Sequence, residues 1–285
     1  MTSERPLEDG VRRDFRQAMS YGDYLGLDQL LSAQHPLAQP PQHDELLFII
    51  QHQTSELWLK LVLHELRAAR ANLQADELGA ALKQLARVKH IQSTLTEQWS
   101  VLATLTPSEY AQFRSFLASS SGFQSYQYRA VEFLLGNKNA AMVPVFDHDP
   151  QAQEMLRTLL HEPSLYDAFV ALLARRGFDV PAELLDRDWS QPWVRSDALV
   201  EVFRLVYADP HEHWDVYETC EELVDLEDNF QLWLPAPEDG RADHRLRTRH
   251  GRQQRGAVPA QGAGAHLLPR AVRRPRPHRA RRVIV

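Results

Sequence analysis

The chain has 285 residues, a formal net charge of −6 and one cysteine, Cys220. This length is sufficient for one large or two modest domains with a buried core, and a single cysteine excludes an internal disulfide. The single cysteine favours a reducing, intracellular setting. No apolar run reaches the roughly 18 residues of a membrane span, and Met1–Gly10 lacks the apolar stretch of a signal peptide.

Charge and aromatic residues divide the chain near Trp233. Residues 234–285 contain 13 Arg, no Lys and 3 acidic residues, a net charge of +10, and no aromatic residue. Residues 1–233 carry a net charge of −16 and all 25 Phe, Trp and Tyr residues. Because the tail has too little apolar surface to bury, the sequence predicts a flexible N-terminus at 1–20, a folded domain at 21–233 and a disordered basic tail at 234–285.

The folded domain is predicted to begin with long helices. Apolar residues recur three and four apart across Asp44–Leu73 and Asp76–Thr104, which is typical of amphipathic helices. The segment Thr106–Glu109 has the form of a capping box with proline at the first helical position, so a third helix is predicted from there to about Leu117. Ala118–Gln124 has the composition of a loop.

Further helices follow, with capping residues, glycine or proline at their ends. They are predicted at Ser125–Leu135, from Asp149 to Pro163, after Ser164, from Ser196 to about Ala208, and over His211–Trp233. No stretch combines period-two alternation with hairpin turns. The predicted fold class is therefore all-α, a single helical domain with an N-terminal arm.

Two places in these helices suggest a site. His52 lies in an otherwise apolar segment, where a polar ring needs a partner or a ligand; a histidine satisfied within the core is the alternative. Tyr110 and Arg114 are four residues apart and share a helix face, where phenol and guanidinium together can clamp a carboxylate; an exposed Arg114 paired with a surface acid is the alternative. The 13 histidines show no spacing of a zinc site, and Trp58 and Trp99 are predicted to be core residues.

Several long strings occur in an order that is similar to bacterial tryptophan 2,3-dioxygenases. They are YGDYLGLDQLLSAQ at 21–34, FIIQHQTSELWLK at 48–60, LTEQWSVLATLTPSEYAQFR at 95–114, SSGFQSYQYR at 120–129, EFLLGNKN at 132–139 and DLEDNFQLW at 225–233. The chain closely resembles that family over about residues 20–233. The resemblance implies an all-helical cytoplasmic homotetramer with haem b, in which residues like Tyr21 and Tyr24 reach into a neighbouring subunit's pocket.

The activity that the resemblance implies is the first step of tryptophan degradation. Both atoms of O2 are inserted across the C2–C3 bond of the indole of L-tryptophan, and N-formyl-L-kynurenine is formed. His52 is implied to accept a hydrogen bond from the indole N–H and to orient the ring, with any general-base role secondary. Phe48 is implied to wall the pocket against the porphyrin, with Ile49, Ile50 and Gln51 completing the substrate-binding segment.

The resemblance implies roles for the next segment as well. Arg114 and Tyr110 are implied to hold the substrate carboxylate, in agreement with their shared helix face. Ser121 and Gly122, in the loop that follows, are implied to lie close to the haem. An apolar pocket with one histidine and one Tyr/Arg clamp matches a zwitterionic indole substrate.

The resemblance stops after Trp233. The family continues with a segment like RFRHLKTVERIIGF, whose histidine is the proximal haem ligand, and the corresponding position is Pro237. A later GTGGSSG segment, whose threonine helps to bind the substrate, is also missing. Haem binding by this chain is therefore expected to be impaired, since His244 or His250 would have to replace the ligand from within the tail.

A shifted reading frame explains the tail. Arg249–Arg255, coded as CGG-CAC-GGG-CGG-CAG-CAG-CGG, yields GTGGSSG when read from the second base. Leu234–Pro237, coded as CTT-CCG-GCA-CCT, similarly yields Phe-Arg-His-Leu, although with less preferred codons. We interpret residues 234–285 as a frameshifted translation. Two alternatives are a catalytically inactive relative without the proximal histidine and a genuine basic tail that binds nucleic acid, although no aromatic residue there offers a stacking platform.

Overall fold

The computed structural model describes residues 18–233. The predicted disordered tail, and all but residues 18–20 of the predicted flexible N-terminus, lie outside this range. Within residues 18–233 every regular element is a helix and none is a strand, so the predicted all-α fold is confirmed. No helix in this range is both long enough and apolar enough to cross a membrane.

Twelve α-helices occur in the described range. In chain order they are α1 (Tyr21–Leu25), α2 (Leu27–Leu31), α3 (His43–Gln74), α4 (Leu78–Glu97), α5 (Trp99–Leu102), α6 (Pro107–Phe113), α7 (Tyr126–Leu135), α8 (Pro150–His161), α9 (Leu165–Arg175), α10 (Ala182–Leu185), α11 (Asp197–Ala208) and α12 (Trp214–Trp233). Short 3₁₀ turns lie at Arg114–Leu117, Gly122–Gln124, Ala140–Met142 and Pro144–Phe146.

The predicted helix starts coincide with real caps. The Thr106 hydroxyl accepts the Glu109 N–H at 3.3 Å, and the Glu109 carboxylate accepts the Thr106 N–H at 2.7 Å, which completes the capping box of α6. Ser125 caps α7 through the N–H of Tyr128 at 3.1 Å. These short-range signals were readable because each cap bonds to a residue only three positions away.

Two predicted helices are shorter than expected. The stretch predicted as one helix over 76–104 is divided into α4 and α5 at Gln98, whose side-chain N–H donates to the Ser55 hydroxyl on α3 at 2.6 Å. The helix that starts at Thr106 ends at Phe113 and continues as a 3₁₀ turn. The Gln98 contact spans 43 residues in sequence and is invisible to helical periodicity.

Two separate apolar clusters hold the helices together. In the main core, the long helix α3 packs against α4, α7 and α9, and α12 packs against α4. A smaller cluster buries Ala38, Leu102, Leu105 and Phe113 where α3 begins and α5 and α6 pass. Each fully buried large apolar side chain contributes about 1.5–3 kcal/mol. Hence the first half of α3 rests on a cluster of its own, and this half carries the candidate site.

Cys220 offers a direct check of the main core. Its side chain is fully buried on α12, and burial raises the pKa of the thiol, while the thiolate is the reactive form. We expect Cys220 to react with a thiol reagent at least about 10³-fold more slowly in the native protein than in the unfolded one, because labelling requires local opening. Since this chain has no other cysteine, one colorimetric assay measures the ratio. Fast native labelling would contradict this packing of α12.

Candidate functional site

His52 and Phe48 form the first part of the site, one turn apart on α3. Their ring centroids are 4.2 Å apart, and both side chains are half-buried. His52 Nδ1 lies 2.8 Å from the carbonyl oxygen of Phe48. Because a carbonyl can only accept, Nδ1 is the donor, which leaves Nε2 of the neutral ring as an acceptor. The histidine is thus oriented by its own helix and keeps one nitrogen for another partner.

An aromatic cluster joins α3 to α6. The Phe48 ring lies 5.7 Å from that of Tyr110 and 5.6 Å from that of Phe113, and Tyr110 meets Phe113 edge-on at 5.4 Å. Such tilted and edge-to-face pairs are worth about 0.5–1.5 kcal/mol beyond the area they bury. Phe113 is fully buried and anchors the cluster in the smaller core. The structure therefore brings Phe48, His52 and Tyr110 together.

Arg114 follows directly after α6, one turn beyond Tyr110. Its backbone N–H donates to the Tyr110 carbonyl, so the predicted helical spacing of the pair is confirmed. Its guanidinium donates through Nη1 to the Ala118 carbonyl at 2.9 Å. This bond uses one of five N–H donors, so the fork retains donors for a carboxylate. The predicted surface alternative is not what holds Arg114 here, since its partner is a backbone carbonyl.

The loop after Arg114 begins with an unusual backbone conformation. Ala118 has a φ of +48°, a region that costs L-residues energy, and its carbonyl is the one that Arg114 holds. Ser121 and Gly122 are exposed, and a Cβ at Gly122 would meet no atom within 4 Å. The loop therefore leaves open space beside Gly122.

The remaining residues of the α3 segment point in different directions. Ile50 is 44% exposed and lies about 200° around the helix from Phe48. Ile49 is half-buried. Gln51 is 6% exposed, and its side-chain Nε2 has no hydrogen-bond partner among the described residues. Consecutive residues on a helix cannot all line one surface, which the family resemblance alone does not reveal.

Trp99 is a residue that the sequence analysis assigned only to the core. Its ring packs against the smaller cluster beside Phe48 and Tyr110, but its indole N–H is buried without a partner in the described part of the chain. A buried donor without an acceptor is costly and marks a place where a ligand acceptor fits. No sequence signal distinguishes such a tryptophan from an ordinary core residue.

Tyr21 and Tyr24 lie on α1, and each is 76% exposed. The helix is capped by Ser20 and Asp23, which form a second capping box. Tyr21 and Tyr24 are not part of the aromatic cluster around Phe48. Their rings are presented to the surroundings, as an arm that contacts another molecule requires.

Histidines are scarce around the site. Of the nine in residues 18–233, seven are exposed, and only His52 and His213 are half-buried. His213 packs against Phe178, whose ring is 5.0 Å away, in a different part of the domain. Within the described residues, no group of three or more His, Cys, Asp and Glu side chains is placed to hold a metal ion.

Fold and site together define an all-helical protein whose site is aromatic at one end and cationic at the other. A profile of the tryptophan 2,3-dioxygenase family matches residues 7–175. Tryptophan 2,3-dioxygenase of Saccharopolyspora erythraea is 66% identical over 231 residues, 81% of this chain and 82% of the relative. That of Kineococcus radiotolerans is 67% identical over 229 residues, 80% of each chain, and that of Serratia proteamaculans is 55% identical over 231 residues, 81% of this chain and 82% of the relative. The chain belongs to the tryptophan 2,3-dioxygenase family.

Proposed function

We propose that this protein is a haem-dependent, cytoplasmic tryptophan 2,3-dioxygenase. Both atoms of O2 are inserted across the indole C2–C3 bond of L-tryptophan, this bond is cleaved, and N-formyl-L-kynurenine is released. The observation that carries the proposal is the grouping of His52, Phe48 and Tyr110 in one aromatic cluster, with Arg114 one helical turn after Tyr110, in a chain whose relatives bear this name.

The indole end of the substrate lies against α3 in this proposal. His52 Nε2 accepts the indole N–H, since Nδ1 is committed to the Phe48 carbonyl. The Phe48 ring, held by Tyr110 and Phe113, supplies the flat apolar wall and excludes water from the ring. His52 thereby orients the substrate, and its contribution is that of one hydrogen bond.

The carboxylate end lies at the start of the loop. Arg114 binds the substrate carboxylate with its free guanidinium donors, and the Tyr110 hydroxyl adds a further bond. The distance of one helical turn between the two residues suits a single carboxylate. This clamp selects an amino acid over free indole.

The residues present fit one face of a haem b. Gln51 Nε2 and Trp99 Nε1 are buried donors without partners in the described residues, as expected beside a ligand that brings carboxylate or carbonyl acceptors. Phe48, Ser121 and Gly122 would contact the macrocycle. The ferrous haem supplies the activation of O2, which no amino-acid side chain provides.

Assembly into a homotetramer is part of the proposal. Leu46, Ile50 and Leu57 form an exposed apolar stripe on α3, with 43%, 44% and 48% of each residue exposed. Tyr21 and Tyr24 are also exposed. Apolar surface of this extent on a soluble protein favours burial against another subunit. In this arrangement the α1 arm completes a neighbouring subunit's pocket.

We further propose that residues 234–285 are a frameshifted translation, so that Pro237 occupies the place of the proximal histidine. The alignments to the relatives leave about a fifth of this chain and about a fifth of each relative unmatched, as expected for tails of similar length but unrelated sequence. Sequencing the gene across the Trp233 codon tests this: we expect a one- or two-base change there, and a single intact frame in independent reads would refute it. The protein with this change reversed is called the frame-restored chain below.

The activity itself is tested with ¹⁸O2. The frame-restored chain, loaded with haem, is expected to convert L-tryptophan to N-formyl-L-kynurenine that carries two labelled oxygen atoms, as measured by mass spectrometry. Absence of this product, or incorporation of only one labelled atom, would overturn the proposed function.

His52→Leu separates orientation from proton abstraction. Loss of one hydrogen bond to the indole is expected to lower kcat/KM of the frame-restored chain about tenfold, whereas loss of a general base lowers the rate about 10²–10⁴-fold. The matched control is His64→Leu, a change at an exposed histidine on the same helix, which should leave kcat/KM unchanged. A decrease of more than about 10²-fold would contradict the orienting role.

A further inference from the structure

A short segment between α2 and α3 lies along the beginning of α3. We call residues Ala33–Ala38 the strap. At one end, Gln53 Nε2 on α3 donates to the Ala33 carbonyl at 2.9 Å, and Gln34 Nε2 donates to Gln53 Oε1 at 2.6 Å. The strap therefore runs antiparallel to the first turns of α3 and is tied to the residue next to His52.

The other end of the strap is held by a buried carboxylate. Glu45, in the first turn of α3, is 1% exposed. One of its oxygens accepts the N–H of Leu37 at 2.7 Å, and the other accepts the N–H of Ala38 at 3.0 Å. A carboxylate is excluded from water only where hydrogen bonds replace its hydration, and here both oxygens are engaged by consecutive amides. Glu45 thus fixes the strap at two adjacent points.

The strap is also part of the wall behind the candidate site. Ala38 is 2% exposed and belongs to the smaller cluster with Leu102, Leu105 and Phe113. Phe48 and Tyr110 pack against this same cluster. Glu45 precedes Phe48 by three residues, so a single helical turn carries both the anchor of the strap and the wall of the site. Movement of the strap would remove the support of Ala38 from the cluster.

We propose that Glu45 is a positioning residue for the candidate site. It ties the strap to α3, so that Ala38 closes the smaller cluster and holds the Phe48 and Tyr110 rings in place. Glu45 touches neither substrate nor cofactor; it acts through the strap. The part of this inference that concerns ligand binding rests on the proposed function.

The test compares Glu45→Gln with Asp44→Asn in the full chain. Glutamine keeps the shape of Glu45 but offers one acceptor, and its NH2 group faces the second amide. Asp44 lies in the same first turn and loses the same charge, but it makes none of the contacts with the strap among the described residues. The matched pair thus separates the tie from the interaction of an acid with the helix N-terminus.

Amide hydrogen exchange is the first measurement. Glu45→Gln is expected to speed exchange of the Leu37 and Ala38 amides about 10- to 100-fold and that of Phe113 to a smaller extent, while Leu66 and Phe169 in the main core stay unchanged. Asp44→Asn should change none of them. Unchanged Leu37 and Ala38 amides, or equal acceleration at Leu66 and Phe169, would overturn the proposal, because the latter signals only global destabilisation.

Binding of L-tryptophan, measured by equilibrium dialysis, is the second measurement. Glu45→Gln is expected to raise the dissociation constant about three- to tenfold, with Asp44→Asn within twofold of the parent. An unchanged constant together with a released strap would overturn the positioning role. If the 285-residue parent binds no L-tryptophan, the same pair of variants is compared in the haem-loaded frame-restored chain. Absence of binding there as well means that the proposed function fails, and the exchange at Phe113 alone then decides whether Glu45 holds the cluster.

Discussion

The 285-residue chain is expected to purify with much less than one haem per subunit and to show no Soret band of a histidine-ligated ferrous–CO complex. The frame-restored chain is expected to bind close to one haem per subunit. In the proposed function the reason is the iron ligand: position 237 is proline, whose side chain cannot bind iron, and His52, the one histidine at the aromatic cluster among the described residues, is assigned to the substrate. Haem content and the absorption spectra measure the difference, which we expect to exceed tenfold.

Point variants sharpen this comparison. Pro237→His in the 285-residue chain should restore little haem binding. The residues around position 237 would still lack the family's sequence and could not orient the ligand. If the 285-residue chain binds haem fully, His244→Ala and His250→Ala would show whether one of these tail histidines replaces the missing haem ligand. Suppose that the 285-residue chain binds a full complement of haem and is active, with a spectrum that neither His244→Ala nor His250→Ala changes. This result would contradict both the frameshift and the role of position 237.

Arg114→Leu is expected to reduce kcat/KM for L-tryptophan about 10²-fold in the frame-restored chain, mainly through KM. The substitution removes the charge to which the proposed function assigns the substrate carboxylate, and it also releases the Ala118 carbonyl, so the loop loses its anchor. Arg114→Lys keeps the charge but not the two-pronged geometry, and a decrease of about tenfold is expected. Steady-state kinetics with L-tryptophan measure both effects.

The control for Arg114 is Arg157→Leu. Arg157 is half-exposed on α8 and pairs with Glu154 at 2.8 Å, an i,i+3 surface pair of the kind that contributes little. Its loss should leave kcat/KM unchanged. Indole-3-propionic acid, which retains the carboxylate, should bind the Arg114→Leu variant more weakly than the parent. Indole itself should bind both equally. Equal loss for indole would show that Arg114 acts on the shape of the site and not on the carboxylate.

Much of the helical framework was predictable because its signals are local. The capping box at Thr106 and the glycine after Leu135 act over three or four residues. In the structure a helix starts after Thr106 and another ends at Leu135. The division at Gln98 was not predictable, since it accompanies a bond to Ser55 on another helix. The Arg114–Leu117 turn was predicted as α-helix because periodicity does not distinguish an α-helical turn from a 3₁₀ turn.

The candidate site, too, contains residues that the sequence indicated and residues that only the packing reveals. Tyr110 and Arg114 were recognisable as a pair from their spacing, and His52 from its apolar surroundings. Gln51 and Trp99 carried no sequence signal, because whether a buried N–H lacks a partner depends on the packing around it. Ile50 is assigned to the substrate segment by resemblance, and its exposure of 44% depends on which face of α3 the fold buries.

The sequence by itself determined the helical class, the positions of the caps, the family and the boundary near Trp233, since all of these depend on composition, short-range bonds or long matching strings. The sequence also determined that the net charge of −6 is the sum of an acidic part before residue 234 and a basic part after it. Only the tertiary structure decided that Ala38, Phe48, Tyr110 and Phe113 share one cluster and that Glu45 ties the strap to it. The contacts of Phe48 with Tyr110 and Phe113 join segments far apart in the chain. A buried carboxylate or aromatic ring acquires its role from the residues that the fold places around it.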